Sequence, residues 1–116
     1  MTQDEIRTQI THGALTRLGV LAAGETPQSA DAQLASDVLD RALDRLGADG
    51  NWFDGDSIPE SAVLGLTTIL CHHLAEAFGL PEGRADRFAA AAQAERHAMR
   101  TQGAESGGGT VPFSDY

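Results

Sequence analysis

From Ala62 to Phe78 the chain runs AVLGLTTILCHHLAEAF, a stretch in which Glu76 is the one formal charge. A segment apolar on most sides, and shorter than the ~20 residues a bilayer demands, reads as a helix buried inside a protein, with other helices wrapped around it. Its start is expected at Ser57-Ile58-Pro59-Glu60, an S-x-x-E pattern in which serine and glutamate side chains satisfy free backbone N–H groups. Gly79 is its expected stop.

The flanking segments have the periodicity to wrap it. Between Asp4 and Leu18 the apolar residues Ile6, Ile10, Ala14, Leu15 and Leu18 recur at three and four, with Gly19 as the expected end. The segment from Gly19 to Pro27 holds two glycines and a proline and reads as the turn of a helix-loop-helix. A second helix is expected to begin between Pro27 and Ala30, capped by Thr26 or Ser29. It carries Leu34, Val38, Leu39, Ala42, Leu43 and Leu46 inward as far as Gly47. Leu80-Pro81-Glu82 opens a fourth helix that runs through Phe88, Ala91, Ala92, Glu95 and Met99 to about Thr101. The expected fold is all-α: a small four-helix domain over residues 1–102, followed by an extended C-terminal arm over residues 103–116. That arm, Gly-rich through Gly107-Gly108-Gly109, is expected to be flexible and to hold no regular structure. Its tip, Val111, Pro112, Phe113 and Tyr116, is expected to contact a protein partner.

Composition narrows the function. The hydrophobic fraction is 41%, but much of it is alanine, so one lean core is expected and a monomer should be only marginally stable. All 8 basic residues are arginine against 17 acids, and a net charge of -9 argues against gripping nucleic acid through its phosphates. Asp37 with Arg41, and Asp40 and Asp44 with Arg45, fall within one turn of each other on the outer face of the second helix, where partial pairing is expected. Cys71 is the single cysteine and is expected as a buried, reduced thiol. The acidic opening Met1-Thr2-Gln3-Asp4-Glu5 is unlike the basic start of a secretory leader, so synthesis in a cytoplasm is expected, with neither secretion nor membrane insertion.

No catalytic constellation, metal site or cofactor site is expected. His72 and Glu76 share a helix face beside Cys71 and His73, but one ligand pair is not a zinc site, and His12 and His97 lie in distant elements. Adjacent helix positions diverge by about 100 degrees, which leaves Cys71 without a histidine base. Asp54 and Asp56 in a Gly/Asp loop read as turn residues. The same loop carries Trp52 and Phe53, which either plug the chain's own helices or reach into a neighbouring subunit.

The stretch Ala14-Leu15-Thr16-Arg17-Leu18-Gly19-Val20-Leu21-Ala22-Ala23-Gly24-Glu25-Thr26-Pro27, followed by Ser29-Ala30-Asp31-Ala32 and by Leu39 and Leu43, resembles the head-tail connectors, or adaptors, of tailed bacteriophages. The likeness covers about residues 6–100 in helix order, and Leu18–Pro27 is its most specific part. It implies a virion protein of the phage neck: a non-enzymatic helical subunit of a twelve-fold ring of itself, set between the portal protein and a tail or tail-nozzle protein. Such a ring helps to retain packaged DNA, and double-stranded DNA passes through its lumen without specific binding. On that reading the arm and the Trp52-Phe53 loop are interface elements, and Asp37, Asp40 and Asp44 are candidates to line the channel and repel DNA. A head-completion or stopper protein of a long-tailed phage is the nearest alternative, and a small helical regulatory module the more distant one.

Overall fold

The computed structural model describes residues 2–106, with side chains through Gln102. It is all-helical among the described residues: α1 (Gln3–Arg17), α2 (Ser29–Ala48), a short 3-10 turn (Glu60–Ala62), α3 (Val63–Leu74) and α4 (Glu82–Ser106). Helix α3 packs against α4, α1 and α2, and α1 also packs against α2.

Helix α1 opens on a reciprocal cap. The Glu5 N–H donates to Thr2 Oγ1 (3.1 Å) and the Thr2 N–H donates to Glu5 Oε1 (2.8 Å). The Thr2 N–H holds the Glu5 carboxyl below its ordinary range. The box expected at Ser57–Glu60 does not form. It would require Ile58 to be helical, and the residue before a proline is pushed out of the α region. Ile58 is instead stapled to the start of α1: its N–H donates to Gln3 Oε1 (2.7 Å) and its carbonyl accepts from Gln3 Nε2 (3.0 Å). Ser57 Oγ donates to Asp54 Oδ1 (3.0 Å) within the loop. Helix α3 therefore starts at Val63 without a side-chain cap and ends at Leu74, after which turns carry the chain to Gly79 at φ 68.

Two other boundaries move. Neither Thr26 nor Ser29 caps α2, whose N-cap is Gln28, with no side-chain hydrogen bond. Helix α4 continues past Thr101 to Ser106, so residues 103–106, expected to begin the arm, are helical. Gln102 Nε2 donates to Ser61 Oγ (3.5 Å) near the end of this helix, and Ala104 and Glu105 are good helix formers that offset the ~1 kcal/mol disfavour of Gly103. Residues 107–116, with Val111, Pro112, Phe113 and Tyr116, lie outside the described residues.

The core is one cluster. Ile6, Ile10, Ala14 and Leu15 of α1 meet Leu39, Ala42, Leu43 and Leu46 of α2 and Leu66, Ile69, Leu70, Cys71 and Leu74 of α3, while α4 contributes Ala92 and Met99. Small residues bring the helices close. A Cβ on Gly65 of α3 would lie 2.7 Å from Met99 Cε and 2.8 Å from Glu95 Oε1 of α4. Both are ends of flexible side chains, so Gly65→Ala should shift the thermal midpoint only slightly, whereas Gly65→Leu should destabilise by about 1–3 kcal/mol through overpacking. Leu70→Ala, at a fully buried site, should cost about 2–5 kcal/mol by chemical denaturation, a large part of the stability of so small a domain.

Candidate functional site: an apolar groove and two charged ends

The connector-like string closes α1 with Ala14–Arg17 and continues from Leu18 as a loop. Leu18 and Leu21 enter the core, Gly19 and Gly24 take positive φ (81 and 84), and the N–H groups of Val20 and Leu21 donate to the Leu15 carbonyl (3.0 and 3.3 Å). Positive φ at both glycines is the backbone reason for their place in the string. Two of its residues, Ala23 and Gly24, line one side of an open concavity.

That concavity is a groove of about 710 Å³ between α1 (Gln9, His12, Gly13, Thr16, Arg17) and α3 (Val63, Leu64, Thr67, Thr68), with Glu95 of α4 at its edge. Its floor is close-packed, since a Cβ on Gly13 would meet Thr67 Cγ2 at 3.4 Å. The Thr67 hydroxyl donates to the Val63 carbonyl (2.7 Å) and that of Thr68 to the Leu64 carbonyl (3.2 Å). With its hydroxyl turned to its own helix, Thr67 acts there as an apolar side chain, whereas the Thr68 hydroxyl also accepts from Arg17 Nη1 (2.9 Å) and ties the end of α1 to α3. Leu64 stands beside the groove at 79% exposure.

The Trp52-Phe53 pair divides. Phe53 is buried in the chain's own core, which corrects its assignment to an interface with a neighbour, while Trp52 is 38% exposed and meets the Phe53 ring edge-on at 5.2 Å. The outer acids of α2 also part ways. Asp40 is ion-paired with Arg7 of α1, and Asp37 accepts from Gln33 Nε2 (2.9 Å), so the expected pairing of Asp37 with Arg41 and of Asp40 with Arg45 is absent among the described residues. Asp44 is exposed on the same helix.

The cysteine and histidines of α3 have structural roles. Cys71 Sγ donates to the Ala14 carbonyl (3.6 Å), and burial pushes its thiol up to about 11. Arg96 of α4 approaches His72 Nδ1 (3.3 Å) and His73 Nε2 (3.1 Å) with one terminal nitrogen, and the two rings stack with centroids 5.0 Å apart. A guanidinium only donates, so both ring nitrogens accept and both histidines are neutral. No group of three or more His, Cys, Asp or Glu residues is placed to hold a metal ion among the described residues.

Sequence reasoning passed over a second feature. Arg84, Arg87, Phe88 and Ala91 follow the i, i+3, i+4, i+7 pattern of one helix face, and with Arg17 they line a concavity of about 270 Å³ at the end of the molecule where α1 finishes. Arg84 Nη2 donates to the Arg17 carbonyl (3.0 Å), and its guanidinium lies over the Phe88 ring at 6.0 Å. The spacing was legible; the arrival of Arg17 beside it was not.

Comparison with known proteins finds no matching family model, no matching curated protein and no matching solved structure. No helix among the described residues is long and apolar enough to cross a membrane.

Two outcomes follow from these groups. Burial, with Arg96 close by, holds both histidines below their ordinary value of 6.5. The unfolded chain then binds more protons, so their contribution to stability is present above about pH 6.5 and lost as pH falls through the lower folded values. Thermal melts between about pH 6.5 and 5, above the carboxylate range, should show this loss, and His72→Gln/His73→Gln should flatten it. Cys71 should resist thiol reagents at neutral pH and react once the chain is denatured.

Proposed function

We propose that this protein is a connector subunit of a phage neck, a ring-forming adaptor that joins the portal to the tail, helps to retain packaged DNA and catalyses no reaction. The observation that carries this reading is the union of the connector-like loop with an open apolar groove. The loop's Ala23-Gly24 end forms part of the groove wall, and exposed Leu64 extends the apolar surface outward. A lean domain that leaves such a surface open gains stability by covering it with protein. The charge balance supports the same reading. A net charge of -9, with Asp37 and Asp44 exposed along α2, suits a lumen through which DNA must slide without sticking.

The decisive measurement is the mass, by native mass spectrometry, of the purified chain alone and mixed with a candidate portal protein. The full chain should form a ring on the portal, and a chain truncated after Ser106 should do so more weakly. A stable dimer that ignores the portal would replace this reading with the regulatory module. Within the ring, Leu64→Asp should weaken portal or neighbour binding by about ten-fold or more with an unchanged melting temperature, because Leu64 is already exposed in the protomer. Asp37→Asn/Asp44→Asn should leave assembly intact and slow DNA ejection; unaltered ejection would assign these carboxylates to solubility alone.

A further inference from the structure

The protomer carries its charge at two ends. At the close of α1, Arg17, Arg84 and Arg87 surround the half-buried Phe88, the concavity they line contains no acid, and none of the three is ion-paired among the described residues. This is three of the chain's 8 basic residues gathered at one point of a protein whose net charge is -9. At the opening of α1 lies the opposite surface. The loop between α2 and the 3-10 turn presents exposed Trp52 together with the exposed carboxylates of Asp49, Asp54 and Asp56. It is fixed there by the Gln3–Ile58 bonds and by Arg7 Nη1 donating to the Gly55 carbonyl (3.3 Å). Asp54 is also held locally, accepting from the Asp56 N–H (2.9 Å) and from Ser57, so the loop's shape does not depend on a partner.

We propose that the arginine–Phe88 face of one protomer receives the Trp52 loop of a second copy of this chain, head to tail. The pairing rests on the ring-forming reading above and names the contact that makes the ring. Three guanidiniums face three carboxylates, and an exposed indole meets a surface of arginines around a phenylalanine, where cation–π contact adds to the ion pairs. The two surfaces cannot meet within one protomer, because α1 separates them: from Gln3 to Arg17 a helix rises about 20 Å. Nor do they pair with themselves, since each bears one sign of charge. Self-recognition is therefore heterologous, and a heterologous contact repeated through the same rotation closes a ring or extends a filament.

The test exchanges the charges and uses the full chain with no other protein present. One variant is Arg84→Glu/Arg87→Glu and the other Asp49→Arg/Asp56→Arg, with assembly followed by sedimentation and native mass spectrometry at low salt. Each variant alone should need at least about ten-fold more protein to assemble than the unaltered chain. Mixed in equal amounts they should assemble again, because each then meets an opposite charge at both ends, and the products should contain even numbers of alternating subunits. Arg84→Glu also removes the bond to the Arg17 carbonyl, so melting temperatures are compared. Arg87→Glu alone, which breaks no internal bond, should show the same direction of effect. The inference is overturned if the variants assemble like the unaltered chain, if the mixture stays monomeric, or if the unaltered chain stays monomeric at every concentration reached. An unaltered ring indifferent to the reversals leaves the connector reading standing without this interface. Charge-swapped assembly that ignores the portal upholds the interface and removes the connector reading.

Discussion

The structure depends on burying α3 from more than one side with a chain that has few large side chains to do it. Leu66, Ile69, Leu70, Cys71 and Leu74 are buried, and the helices that cover them must come close because alanine and glycine supply much of the contact. Gly65 admits Met99 and Glu95 of α4, and Gly13 admits Thr67 at the crossing of α1 and α3. Close crossings of this kind make good dispersion contact along a narrow line and leave open space on either side of it. The groove beside Leu64 follows from the packing that stabilises the core: the small residues that let α1 approach α3 are too small to fill the flank.

The second constraint is the tie between the start of α1 and the loop before α3. Two hydrogen bonds between Gln3 and Ile58, made across 55 positions of sequence, hold an extended segment that the following proline excludes from helix. In the loop so held, Phe53 lies in the core and Trp52 outside it. It also puts the loop's carboxylates at one end of α1, while Arg84, bonded to the Arg17 carbonyl, places a basic face at the other. The polarity of the proposed assembly thus rests on hydrogen bonds within the protomer, the neutral Gln3–Ile58 pair at one end and the charge-assisted Arg84–Arg17 bond at the other. Within the protomer, the Arg7–Asp40 ion pair links α1 to α2.

The chemistry-bearing residues of α3 serve the fold. A thiol as high as Cys71 is a poor nucleophile at neutral pH. The stacked histidines accept from Arg96, which joins the end of α3 to α4. Such groups look functional in a sequence because their identities are suggestive. Burial and partners decide between reactivity and packing: burial favours packing at Cys71, and the Arg96 partner favours it at the two histidines.

The sequence alone determined the number and order of the helices, the central place of α3, the turn at Gly19 and the buried state of Cys71, because each follows from local spacing or from a single residue's chemistry. It carried α3 too far, to a stop at Gly79, whereas the helix ends at Leu74 and turns lead on to that glycine. It misplaced the cap at Ser57, since S-x-x-E was read without the proline inside it, and it ended α4 one turn early, since Gly103 was weighed without its neighbours. It also could not divide Trp52 from Phe53. Which of two adjacent aromatics enters a core is set by the direction of the chain, and the loop that carries them is held by Gln3 and Arg7, far away in sequence. The groove and the basic face were decided by tertiary structure for the same reason. Each is formed by residues from separate helices, Gly13 with Thr67 and Arg17 with Arg84, and long-range proximity leaves no periodic trace in either segment.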